Sequence, residues 1–421
     1  MSDTEPSSRA GLARTVVVVF LPFAAGFFFS DLYRQVNAII APQLVAELGL
    51  SAANLGLLTA VFFLTFTINQ LPLGIMLDRF GPRRVQASQL LVAALGALIF
   101  SLGENQAHLM VGRALIGFGV SGGLMSGLKA ITIWFPRERW PLANGCFLGM
   151  GALGAMMATA PVEAILQVTD WRGVFLGSAI VTAVVSLAIF FVVPEKPATK
   201  TPLNFSRQIQ DLRRIFSDRE FWRYTPLVVT GVAGGMSVQG LWAGPWMKDV
   251  GGLERDTLAI YLLANTASMG VGVALGGLVT DRLARVGIGL PKVLGASTVL
   301  FFGAQLIIIF ELDSAGVWPW ILFGLVGHMS VLAYAHLSHY FPLEFAGRAN
   351  TSLNLVVFAG VFVVQYGMGV IINAFPLDVG GGYAHAGYRV AFAAALGLQV
   401  VTFLWFLVPA KSRSRQNDPP G

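Results

Sequence analysis

The sequence predicts an all-α polytopic membrane protein with twelve transmembrane helices in two six-helix halves. Three observations carry this expectation. The chain of 421 residues is 55% hydrophobic and only 12% charged, with a mean hydropathy of +0.69. Soluble domains carry roughly twice that share of charge, about 25%, so one large water-facing core is excluded. Many uncharged runs also reach the ~20 residues that a helix needs to cross a bilayer. Finally, the connectors between those runs are short and carry Gly, Pro or charge.

Taken in order, the apolar runs place spans at 15–42, 53–76, 84–103, 108–134, 140–166, 172–194, 222–247, 257–279, 291–311, 317–341, 350–374 and 387–408. The first run continues without a small-residue cleavage site, so it reads as an uncleaved span rather than a signal peptide. The one long connector lies near the middle of the chain. It holds Lys196, Lys200, Arg207, Arg213, Arg214 and Arg219, and its composition suits a loop with one amphipathic helix lying on the membrane surface. The organisation that follows is a first half at 1–195, a middle loop at 196–221, a second half at 222–409 and a tail at 410–421.

Charge orients the chain. Of the 28 Lys and Arg, only Arg172, Lys248, Arg255 and Arg389 fall in connectors opposite the termini, and Arg34, Arg113 and Lys129 fall within spans. The rest lie on the side of the termini, which by the positive-inside rule is the cytoplasm. Basic connectors account for the net charge of +6, so nucleic acid is not an expected partner. Cys146 is the only cysteine, which excludes an intrachain disulfide and a cysteine metal cluster. His336 and His339 share a helix face without a carboxylate or cysteine at metal spacing, so no metal site is expected. No Gly-x-x-x-x-Gly-Lys loop is present, so no nucleotide and no other cofactor is expected.

The clearest motif lies between spans two and three: Gly74-Ile75-Met76-Leu77-Asp78-Arg79-Phe80-Gly81-Pro82-Arg83-Arg84. A shorter copy, Gly277-Leu278-Val279-Thr280-Asp281-Arg282, follows 203 residues later, from Asp78 to Asp281. Ala41-Pro42 and Gly244-Pro245 repeat at the same offset. Two related six-span halves are a transporter architecture in which substrate binds near the midplane between them.

These motifs resemble the major facilitator superfamily. Gly74-x-x-x-Asp78-Arg79-x-Gly81-x-Arg83-Arg84 is similar to its loop between spans two and three, and Arg113-x-x-x-Gly117-x-Gly119 is similar to its span-four signature. Tyr33-Arg34 with Asn37, Ala41 and Pro42 resembles the first span of organophosphate:phosphate antiporters and anion:cation symporters. There, an arginine at this place helps to bind the anion. The repeat-equivalent of Arg34 is Ser237, so a symmetric pair of arginines is absent. The superfamily's antiporter signature in span five is only loosely echoed, by Gly145, Gly149, Gly151, Gly154 and Pro161.

Charges inside a bilayer are costly and are usually functional or paired. Asp31 and Arg34 share one helix face, and Arg113 falls at a similar depth. Three in-span basic residues are set against Asp31, which favours an anionic, carboxylate-bearing substrate. The expected substrate-binding residues are Tyr33, Arg34, Arg113, Gln239, Trp242, Asn265, Asn354 and Gln365. The titratable candidates for proton coupling are Asp31 and His328. Gly74, Asp78, Arg79, Gly81, Arg83, Asp281 and Arg282 lie at the mouth and are the expected gating residues. Trp246 is expected in the interfacial aromatic belt.

The resemblance implies a secondary active transporter of a bacterial inner membrane, monomeric, with both termini cytoplasmic. Its partners are a small solute, protons and the lipid bilayer. Uptake is preferred because the antiporter signature is poor. The alternatives are efflux by proton antiport and a non-transporting sensor or assembly protein on the same fold.

Overall fold

The computed structural model describes residues 9–195, 213–378 and 381–408. Residues 196–212 of the middle loop, where an amphipathic helix is expected, and the tail at 410–421 lie outside the described residues. The described chain forms twelve helical elements: α1 (9–48), α2 (52–80), α3 (82–101), α4 (Gln106–Trp134), α5 (140–166), α6 (Trp171–Val192), α7 (Arg219–Asp249), α8 (Arg255–Arg285), α9 (Leu290–Ile309), α10 (318–340), α11 (Leu343–Asn373) and α12 (His385–Leu407). Eleven helices are long and apolar enough to cross a membrane. The count is twelve if the bent pair Leu142–Met157 and Ala160–Leu166, which together make α5, is one span.

Short polar side chains start several helices by accepting from backbone N–H groups that have no partner in the first turn. Ser51 accepts from Asn54 N at 3.2 Å, Asn105 from His108 N at 3.1 Å and Asp170 from Gly173 N at 2.9 Å. Gly49, with φ 62°, ends α1 in the left-handed conformation that glycine adopts without strain. The turn-forming loop expected at Gly81-Pro82 is smaller than the sequence implies. The helices on either side abut, and only Gly81 leaves helical geometry, at φ 76° and ψ 162°. One glycine therefore separates α2 from α3.

The repeat reappears as matched helix interruptions. α1 has an irregular turn at Val36, two residues past Arg34, where the Val36 carbonyl accepts from both Ile39 N and Ile40 N at 3.3 Å. α7 widens into a π segment at Val238–Trp242, and its Gln239 is the residue 203 positions after Val36. Such irregular turns re-aim side chains and often mark functional sites.

The ends of the bundle are termed terminal (carrying residues 9, 195, 213 and 408) and distal. At the distal end the two halves meet. The Tyr383 hydroxyl donates to the Leu50 carbonyl at 3.1 Å, Gln167 donates to Asp256 at 3.2 Å, and Arg255 pairs with Glu163. The backbones also touch there: a Cβ on Gly244 would overlap the Ala38 carbonyl oxygen, and one on Gly369 would lie 2.6 Å from the Ala52 carbonyl oxygen. At the terminal end, two arginines bond within their own halves. Arg83 donates to the Phe190 carbonyl at 2.8 Å, and Arg223 to the Phe406 carbonyl at 3.2 Å. Trp246 departs from the expected interfacial position. It is buried and packs edge-to-face on Trp320 with ring centroids 5.2 Å apart.

Candidate functional site

Arg34 sits where α1 is interrupted and where both halves approach. Its Nη1 pairs with Asp31 Oδ1 at 2.6 Å, one helical turn earlier, and the two side chains are 17% and 13% exposed. The guanidinium lies over the ring of Phe66 in α2 at 5.9 Å and over that of Phe358 in α11 at 6.0 Å. Those rings are themselves 4.4 Å apart across the two halves. Arg34 Nε is buried with no hydrogen-bond partner among the described residues. His328 in α10 is within electrostatic reach of Arg34, and its Nδ1 is likewise without a partner. An acid, a guanidinium and two aromatic rings from three helices thus converge, with the imidazole of α10 within electrostatic reach. The aromatic faces hold the cation in place.

Two expected binding residues lie elsewhere. The Tyr33 hydroxyl is buried against α6, 3.1 Å from Thr182 Oγ1, so it faces the interior of the first half. Arg113 is fully buried, with Nη1 donating to the Tyr33 carbonyl at 2.9 Å and its guanidinium 5.1 Å from the Phe62 ring. It supports the α1 backbone beside the interruption, while its Nε and Nη2 have no partner among the described residues. Helical spacing puts Tyr33 and Arg34 on different faces, and sequence proximity obscured this. Replacing Tyr33 by phenylalanine removes one neutral hydrogen bond. A loss of about 1 kcal/mol of stability with transport retained is expected, read by thermal unfolding and uptake in parallel.

The second-half residues differ in how far their polar atoms are already engaged. Trp242 Nε1 donates to the Gln365 carbonyl at 3.3 Å, and Gln239 donates to Thr266 at 3.2 Å. Gln239 Oε1 and both amide atoms of Gln365 are buried without partners among the described residues. Asn265 is buried close to Gly324 of α10, inside the second half, with both its amide atoms unpartnered there. Asn354 accepts from the Tyr334 hydroxyl at 3.2 Å.

The motif residues gather at the terminal end, away from Arg34. Asp78 pairs with Lys129 of α4, Arg79 lies 5.2 Å from the Phe80 ring, and Arg83 also reaches Glu195 at 3.6 Å. Gly74 is exposed beside them, and in the second copy Arg282 is exposed. The side chain of Asp281 lies outside the described residues.

One residue escaped the sequence reading. Glu163 also lies within predicted span 140–166, so the in-span balance is three basic residues against two acidic ones, not one. Its side chain is 5% exposed and pairs with Arg255 from the other half. The available signal was an acid two residues after Pro161, where the Gly-rich run of span five ends at Thr159-Ala160-Pro161.

Comparison with known proteins agrees with this architecture. The sequence profile described as Major Facilitator Superfamily matches residues 23–365. A probable sulfoacetate transporter of Cupriavidus necator is 23% identical over 375 residues, spanning 85% of this chain and 79% of that protein. A probable L-galactonate transporter of Escherichia coli is 23% identical over 299 residues, spanning 67% of this chain and 64% of that protein. Among solved structures, a bacterial homologue of the human lysosomal transporter Spinster, in an inward-facing and occupied conformation, superposes with a TM-score of 0.76 at 17% identity. The match covers 92% of this chain and 95% of that one. A D-xylose-proton symporter gives 0.71 at 15% identity, covering 91% and 97%. The profile match spans most of the chain, and the helical architecture agrees with it: this protein belongs to the major facilitator superfamily and is a multi-pass membrane transporter.

Proposed function

We propose that this protein takes up a small carboxylate-bearing organic anion together with a proton, and that the Asp31–Arg34 pair is where the two are coupled. The carrying observation is the 2.6 Å contact between these side chains at the meeting point of the halves. While Asp31 is ionised it occupies Arg34 and the pair is neutral. Protonation of Asp31 frees the guanidinium, whose planar donors match a carboxylate. Substrate and proton then favour each other's binding, and the loaded site again carries no net charge. This minimises the cost of moving it through a low-dielectric interior. Relatives named for sulfoacetate, galactonate and hexuronate transport support an organic anion as cargo.

The partly exposed Asp31 and Arg34 lie beneath a distal end held closed by contacts between the halves. Access in this conformation is therefore from the terminal side. By the charge distribution that side is the cytoplasm of a bacterial inner membrane, with both termini inside. Opposite rocking of the halves then exposes the same site to the outside. The Asp78–Lys129 pair ties the end of α2 to α4 and serves as a joint for that motion, with Arg83 on the Phe190 carbonyl beside it.

Asp31→Asn separates binding from coupling. In proteoliposomes, exchange of labelled substrate is expected to persist, while accumulation driven by a pH gradient is lost. A panel of hexuronates, aldonates and short sulfonated carboxylates supplies the substrate. Normal pH-driven accumulation by Asp31→Asn would remove Asp31 from the coupling role, and no exchange of any panel member by the parent protein would overturn the organic-anion assignment. An aromatic-rich second half is also compatible with efflux of amphipathic compounds. Substrate moving outward against its gradient when the pH gradient is imposed would favour that reading.

A further inference from the structure

We propose that Glu163 is a second proton-binding site, one that releases the distal gate when it is protonated. Glu163 belongs to the first half and Arg255 to the second, and their ion pair bridges the two at the distal end. The pair is asymmetric. The Glu163 side chain is 5% exposed, whereas Arg255 is 46% exposed. One carboxylate oxygen receives Arg255, and the other, Oε2, is buried without a partner among the described residues. In its swapped amide orientation, Gln43 of α1 accepts from Arg255 Nη2 at 2.6 Å and Nη1 at 2.9 Å. Arg255 thus gathers α1 and α5 onto the start of α8.

The groups facing Glu163 explain the direction of the effect. From α8 come Arg255, which favours its ionised form, and Asp256, which opposes it. Asp256 is in turn held by Gln167, beside the end of α5, at 3.2 Å. From α1 comes the neutral Gln43 amide, acting through Arg255. At the start of α6, Arg172 is paired with Glu47 at 2.5 Å and so is engaged elsewhere. A buried carboxylate held by a single cation is costly once that cation leaves, so ionised Glu163 ties the gate shut. A proton arriving from distal-side water forms an O–H bond on the carboxylate and dissolves the ion pair. Arg255 keeps its charge and loses little by turning to the water it already touches. The halves are then released at this end. With the direction of uptake proposed above, the gate opens on the proton-rich side of the membrane.

The test reads distance rather than transport, so its failure is distinguishable from failure of the uptake reading. Cys146→Ser gives a cysteine-free background. Val168→Cys and Leu312→Cys place spin labels at distal positions of the two halves, 86% and 71% exposed. Double electron–electron resonance is recorded in lipid nanodiscs at about pH 7.5 and about pH 5.5, the lower pH shifting carboxylates toward their protonated form. The parent protein should gain a longer-distance population on acidification, by roughly tenfold. Glu163→Gln should hold that population at both pH values. Arg255→Gln should invert the response: its closed state buries an unpaired carboxylate, so acidification favours closure. Equal distances at both pH values in the parent, or an unchanged pH response in Glu163→Gln, would overturn the proposal.

Discussion

Replacing Arg34 by glutamine is expected to lower uptake by roughly 100-fold, the loss of a charge-assisted hydrogen bond at the top of its usual range, about 3 kcal/mol. The guanidinium is fixed between Asp31 at 2.6 Å and the rings of Phe66 and Phe358 near 6 Å. Glutamine retains neither the charge nor the planar donor fork. The single variant also leaves Asp31 without its cation, so a stability loss accompanies the loss of function. The double variant Asp31→Asn/Arg34→Gln removes that complication, because neither charge is left alone. It should recover the thermal stability of the parent and remain without uptake. Arg34→Lys keeps the charge but not the bidentate geometry, and intermediate uptake is expected. Measurement of uptake and unfolding temperature for all three variants checks the assignment. Parental uptake by the double variant would rule it out.

Gly244→Val is expected to have the second large effect, through conformation rather than chemistry. A Cβ at Gly244 overlaps the Ala38 carbonyl across the boundary between the halves. Overpacking of this kind costs roughly 1–3 kcal/mol. Here the cost falls only on the conformation in which the distal ends touch, and each half remains internally unchanged. The population should therefore move away from distal closure by roughly 5- to 150-fold, the two-state equivalent of that energy. Transport should fall because one of the two required conformations is disfavoured, while substrate binding to the other is retained. The same distal spin-label pair reads the shift directly. An unchanged distance distribution would show that the halves separate at this contact without cost.

The motifs exposed the fold more readily than the site. The apolar runs, the Gly74–Arg84 motif and its copy carry the architecture because each is local: a span needs only its own residues to satisfy its backbone in lipid. The site was legible only in part. Arg34 and Asp31 were visible as charges where charge is expensive, and their spacing on one helix predicted the pair. Tyr33, one residue away, points into the first half toward Thr182. Arg113 stands as a charge in span four, but only the fold reveals that it holds the Tyr33 carbonyl. Glu163 was missed because its partner, Arg255, lies 92 positions later, from 163 to 255, in the other half.

What the sequence by itself determined is the class, the number of spans and the repeat. Hydropathy and punctuation act within a helix length and leave few alternatives in a bilayer. What only the tertiary structure decided is which polar residues face each other and which end is closed. The Phe66–Arg34–Phe358 arrangement, the matched interruptions at Val36 and Val238–Trp242, and the Glu163–Arg255 bridge all depend on how two similar halves pack. That packing is set by close backbone contacts such as Gly244 on Ala38. In the alternating-access reading proposed above, the sequence encodes a second packing as well, and the structure is the one whose distal contacts are made.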